Sequence, residues 1–120
     1  MSRVVILGAS NQPHRYSNMA LHSLLKHGHE VVPVHPVIPA IDGITVTKKI
    51  ADITGEVDTV TLYIGSSRVE EIADEIIALN PKRIISNPGT ETETLKEKAL
   101  SAGIEYIEGC TLVMLSNGLF

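Results

Sequence analysis

The sequence predicts a three-layer α/β domain in which helices cover both faces of a parallel sheet of five short strands. Three observations carry this. Val4-Val5-Ile6-Leu7 is apolar without alternation, as a strand buried on both faces must be. It runs into a turn of small residues, Gly8-Ala9-Ser10, and a helical pattern starts near Asn18. Strand-sized and helix-sized apolar runs then alternate along the chain, which calls for parallel strands joined by right-handed crossovers.

The first helix, Asn18 to Lys26, puts Ala20, Leu21, Leu24 and Leu25 on one face, and Gly28 follows as its stop. The second strand covers Glu30 to Val34 and ends at His35-Pro36. Breakers make a loop through Pro39, Asp42 and Gly43, with a short extended piece at Ile44 to Val46 and one helical turn within Lys48 to Ile53. The third strand is Thr59 to Ile64. Ser67 and Glu70 have capping-box spacing, ahead of a helix whose face is Val69, Ile72, Ala73, Ile76 and Ile77. Asn80-Pro81 closes that helix, and Arg83 to Ser86 is the fourth strand. Thr90 and Glu93 repeat the capping spacing before a helix that ends near Gly103, and Ile104 to Ile107 is the fifth strand. These elements form one domain, residues 1–120, with a Rossmann-like, doubly wound sheet in the order 3-2-1-4-5.

In such a sheet, ligands lie outside the carboxyl ends of the strands, where the winding reverses. With that order the crevice falls between the first and fourth strands. It joins Gly8, Ala9 and Ser10 to Ser86-Asn87-Pro88-Gly89, with Tyr63-Ile64-Gly65-Ser66 flanking it. Small residues in the first turn let backbone approach a ligand closely, and N–H groups opening the next helix can hold phosphate oxygens. Arg15 can offer a two-pronged bond to a phosphate.

Composition excludes several classes. At 120 residues the chain has the length of one domain, too short for a nucleotide domain plus a separate catalytic one. Net charge is −4 with no Lys/Arg run, so the basic footprint of a nucleic-acid binder is missing. Met1-Ser2-Arg3 leads straight into a strand and no apolar run approaches a membrane span, so the expected setting is cytoplasmic with no membrane partner. Cys110 is the one cysteine, which rules out an internal disulfide. His14, His22, His27 and His29 come without a carboxylate cluster and read as surface residues, leaving no metal site. An NAD site wants a carboxylate ending the second strand and a glycine-rich fingerprint after the first. This chain has Val34-His35-Pro36 and Gly8-Ala9-Ser10-Asn11-Gln12-Pro13 instead, and no Gly-Lys-Ser/Thr occurs for a P-loop.

Taken together, Val5-Ile6-Leu7-Gly8-Ala9-Ser10, Pro13-His14-Arg15-Tyr16-Ser17-Asn18, Gly28 to Pro36 and Glu108-Gly109-Cys110 resemble the stand-alone CoA-binding domain proteins, akin to the N-terminal domain of the succinyl-CoA synthetase alpha subunit. The resemblance spans nearly the whole chain. It implies coenzyme A as ligand, with Gly8, Ala9, Ser10, Arg15 and Ser17 around the phosphates and Val34, His35 and Pro36 near the adenosine. Tyr63, Gly65 and Ser66, with Asn87, Pro88 and Gly89, stand where relatives line the pantetheine arm. Relatives commonly have Asn in place of His35, and Asn87 to Glu91 departs from their commonest loop. The synthetase's phosphorylated histidine lies in a second domain, so ligase activity does not carry over.

Two functions follow from different classes. One is non-catalytic binding of coenzyme A or an acyl-CoA, as carrier, sensor or regulator. The other is a small nucleotide-dependent enzyme in the same crevice, either an NAD(P) oxidoreductase or an acyl-transfer enzyme using Cys110. The sequence offers no acid/base pair or triad, which favours binding. A small-molecule ligand is the expected partner, and a homodimer is compatible with the chain.

Overall fold

Every side chain of Val4-Val5-Ile6-Leu7 is buried, and they alternate between two separate apolar cores. The computed structural model describes residues 2–120, with β1 at Arg3–Leu7. Val5 and Leu7 pack on one face with α2 (Ser66–Glu71), α3 (Ala73–Ala78) and α4 (Glu93–Ser101). Val4 and Ile6 pack on the other face with α1 (Tyr16–Lys26) and α5 (Thr111–Ser116). A strand buried on both faces is what an unbroken apolar run specifies.

The remaining strands are β2 (Glu30–Val34), β3 (Ala40–Ile41), β4 (Ile44–Thr45), β5 (Thr59–Leu62), β6 (Arg83–Ser86) and β7 (Glu105–Glu108). Five of them form the parallel sheet, in the order β2-β1-β5-β6-β7, while β3 and β4 make a separate antiparallel pair. The doubly wound α/β class is as predicted. Counting only the five main strands, however, the order is 2-1-3-4-5, and not 3-2-1-4-5. Two features account for it. Thr47 bridges Val34 on the outer edge of β2, occupying the place a third strand would take there. All four residues of β5 are buried, so it needs a neighbour on each side, and it finds them in β1 and β6.

Local boundaries moved for identifiable reasons. α1 begins at Tyr16 and ends in a turn where Gly28 takes φ +84° and the His29 N–H donates to Leu24 O at 3.0 Å. That is the glycine-dependent helix stop read from the sequence. Leu25, expected on the buried face, is 41 % exposed. The single helix expected from Ser67 divides at Ile72 into α2 and α3, although Val69, Ile72, Ala73 and Ile76 do form its buried face. Neither capping box forms. Gly65 is the N-cap of α2, and the Glu70 carboxylate accepts from the Thr92 hydroxyl at 3.0 Å. Thr92 is the N-cap of α4, while the Thr90 hydroxyl donates to Asn87 O. α5 was not foreseen at all. A 3₁₀ turn at Ile50–Asp52 and β4 match the helical turn and the extended piece expected there, while β3 falls where a loop was expected.

Candidate functional site

The strand order moves the winding reversal to the seam between β1 and β5. There the turn after β1 and the loop after β5 touch. Tyr63 N–H donates to Leu7 O at 2.8 Å, and Gly8 takes φ +86°. A Cβ on Gly8 would lie 2.9 Å from the Tyr63 backbone carbonyl. Gly8 is therefore required by this chain's own backbone. On the other flank the Ala9 N–H donates to Val34 O, so that donor is committed to holding the two loops together.

Over this seam opens a cleft of about 1040 Å³. That is the upper end of the usual range for small-molecule sites, about 300–1,000 Å³, and leaves room for an extended ligand. Of the residues anticipated from sequence, Gly8, Ala9, Ser10, Arg15, Ser17, Val34, His35, Pro36, Tyr63, Gly65, Pro88 and Gly89 all line it. Ser66 and Asn87 do not. Ser66 is exposed at the start of α2, outside the lining. Asn87 is buried and tied inward: its side-chain nitrogen donates to Thr61 Oγ1 at 2.7 Å and Leu62 O at 2.8 Å, and its oxygen accepts from Thr111 N–H at 2.9 Å. It clamps β5, β6 and α5 together.

The donors face the cleft at one end of α1. Arg15 is the N-cap, the first turn holds no acidic residue, and among the described residues the Tyr16 and Ser17 N–H groups have no acceptor. Unpaired N–H groups and the helix dipole make that end attractive to an anion. Buried Asn18 fixes the turn by donating to Ser10 O at 2.8 Å. The cleft also collects cations that sequence reasoning missed. Lys48, Lys49 and Arg68 line it with Arg15, against one carboxylate among the described residues, that of Glu75. The protein is acidic overall, yet this surface is basic. The adjacent Lys48-Lys49 was the available signal, masked by its place in an irregular segment.

His35 has a different role from the expected one. Its Nδ1 accepts from the Val37 and Ile38 N–H groups, each at 3.0 Å, which assigns the ring proton to Nε2 and shapes the loop after β2. An asparagine side-chain oxygen can accept the same pair of bonds. The Gly89 N–H is likewise committed, donating to the Glu91 carboxylate at 2.8 Å.

Tyr63 lies under the seam. Burial pushes its phenol up to about 12, opposed by a smaller pull from the nearby Thr111 and Thr61 hydroxyls. Those two are bonded to each other at 2.8 Å, and Thr61 also accepts from Asn87, so no bond of good geometry reaches the Tyr63 hydroxyl. Burial decides the direction. Cys110 is half-buried as the N-cap of α5 and lies outside the cleft lining. His22 pairs with Asp42 at 2.8 Å and His27 Nδ1 contacts Ser23 O, so both are surface groups with local partners. No helix among the described residues is long and apolar enough to cross a membrane.

Comparison with known proteins bears on the fold and the family. A crystal structure of an uncharacterized protein is 45 % identical and superposes with a TM-score of 0.93, covering 100 % of this chain and 98 % of its own. The uncharacterized protein YneT of Bacillus subtilis is 27 % identical over 100 residues, 80 % of this chain and 74 % of that protein. An acetyl-coenzyme A synthetase of Ca. Korarchaeum cryptofilum, solved with phosphate and ADP, shares the fold at TM-score 0.77 and 24 % identity; 90 % of this chain covers 25 % of that one. Residues 2–116 match the CoA binding domain family, and the chain belongs to it.

Proposed function

We propose that this protein binds coenzyme A, free or acylated, in the cleft over the β1–β5 seam and performs no chemistry on it. The observation that carries the reading is the open N-terminus of α1, where the Tyr16 and Ser17 N–H groups and the Arg15 guanidinium converge on the cleft. Coenzyme A brings about four negative charges to a chain of net charge −4, so local donors must outweigh the global field. The pyrophosphate fits against Ser10, Arg15 and the first turn of α1. The adenosine then lies along Val34, His35 and Pro36. The pantetheine arm runs past Tyr63 and Gly65 toward Pro88 and Gly89, beside the apolar Ile64 and Ile72.

The chemistry of the lining supports a binding role. His35 spends Nδ1 on its own loop, and among the described residues Glu75 is the one carboxylate lining the cleft. Cys110 stands apart from the lining, which argues against thiol-based acyl transfer. A native mass spectrum with coenzyme A and NAD supplied together tests the reading. One coenzyme A should be retained per chain; retention of NAD in its place would overturn it.

A further inference from the structure

Lys48 and Lys49 are held at one place in the cleft by the sheet itself. Thr47 N–H donates to Pro33 O at 2.9 Å, His35 N–H donates to Thr47 O at 3.0 Å, and Thr47 bridges Val34 in parallel register. The two lysines therefore emerge beside the carboxyl end of β2, and both line the cleft there with His35 and Pro36. In doubly wound nucleotide sites the end of the second strand reads the ribose: a carboxylate accepts from a free hydroxyl, and a cation accommodates a ribose phosphate. This chain has no carboxylate at that position. Among the described residues neither lysine is in an ion pair, although Arg3, Arg68 and Lys98 each are. Ile64, Arg68, Ile72 and Glu75 also line the cleft, with Ile72 packed in the same core as Ile50, and Arg68 is already paired with Glu71.

We propose that Lys48 and Lys49 form a subsite for a phosphate on the ribose of the bound nucleotide, making the cleft select 3′-phosphorylated ligands over their dephospho forms. This rests on the reading of the cleft as a coenzyme A site, and adds which end of the ligand each end of the cleft takes. Two lysines without ion pairs at one end of the cleft leave uncompensated positive charge there, and a phosphate would offset that charge while gaining charge-assisted bonds. Ile64 and Ile72 in the lining offer apolar surface to the uncharged pantetheine arm.

The test is a titration of the wild-type chain and of the Lys48→Met/Lys49→Met double variant with four probes: coenzyme A, dephospho-coenzyme A, adenosine 3′,5′-bisphosphate and AMP. Both lysines are exposed, so the variant should fold as the parent does. The wild type should bind coenzyme A about tenfold or more tighter than dephospho-coenzyme A, the size of a charge-assisted contact. In the double variant that ratio should collapse to about twofold or less with dephospho-coenzyme A affinity unchanged. Equal wild-type binding of the two cofactors overturns the subsite and leaves the coenzyme A reading standing. Lysine-dependent preference for the bisphosphate over AMP, without coenzyme A binding, upholds the subsite and overturns the coenzyme A reading. Binding of none of the four overturns both.

Discussion

Arg15 shows what one residue contributes to this site. It sits exposed at the N-cap of α1 and lines the cleft, with no packing role that its loss would disturb. Arg15→Ala should therefore weaken coenzyme A binding by roughly 1.5–3 kcal/mol and leave the unfolding midpoint in place. Calorimetric titration beside a thermal melt checks both halves; affinity within twofold of the parent would make Arg15 a solvated surface group. Tyr63 makes the complementary case. Its folded phenol is held near 12 against 10.0 in the unfolded chain. The unfolded phenol loses its proton first, so stability is intact below pH 10 and falls as pH rises toward 12. The loss should reach about 2 kcal/mol by pH 12 and be absent in Tyr63→Phe, read from urea melts of the two proteins across that range. That Gly8 and Arg15 would line the cleft was legible because both lie in the segment joining the first strand to the first helix, where this fold opens its cleft. The true partner of Gly8 was not legible, because the backbone it touches belongs to a loop 55 residues away in sequence.

At the scale of elements, the clamp by Asn87 matters most. Three hydrogen bonds from one buried amide join the ends of β5 and β6 to the first N–H of α5. Asn87→Ala should cost roughly 3–5 kcal/mol, since each buried partner left unpaired costs about 1–3 kcal/mol. A urea melt measures it, and a loss below 1 kcal/mol would mean that other groups or water take over its bonds. The sequence placed Asn87 in the loop after β6 but could not tell an inward amide from an outward one. α5 escaped notice because Thr111–Ser116 is only six residues long, under two turns, too short for helical periodicity to show. The strands were legible from their apolar runs, while their order depended on Thr47 taking the edge of β2. No periodic signal marks a single bridge.

For the whole molecule, the contrast between an acidic chain and a basic cleft is the organising fact. Net charge −4 repels a polyanion at long range, yet Arg15, Lys48, Lys49 and Arg68 all line the one cleft that opens where the winding of the sheet reverses. Screening shortens the long-range repulsion to about a Debye length, near 8 Å at physiological salt, so short-range contacts with the cleft decide binding. Fold class followed from the alternation of strands and helices, and so did a cleft at the carboxyl ends of the strands, although the strand order sets it at the β1–β5 seam and not between the first and fourth strands. The charge of the cleft did not, because Lys48 and Lys49 come from an irregular segment positioned by two backbone bonds to the end of β2. Direct calorimetric titration of the purified chain with coenzyme A and, separately, with NAD asks the question in its simplest form. Saturable heat at one coenzyme A per chain, with none from NAD at the same concentrations, is the predicted result; saturable NAD binding with no coenzyme A signal would contradict it.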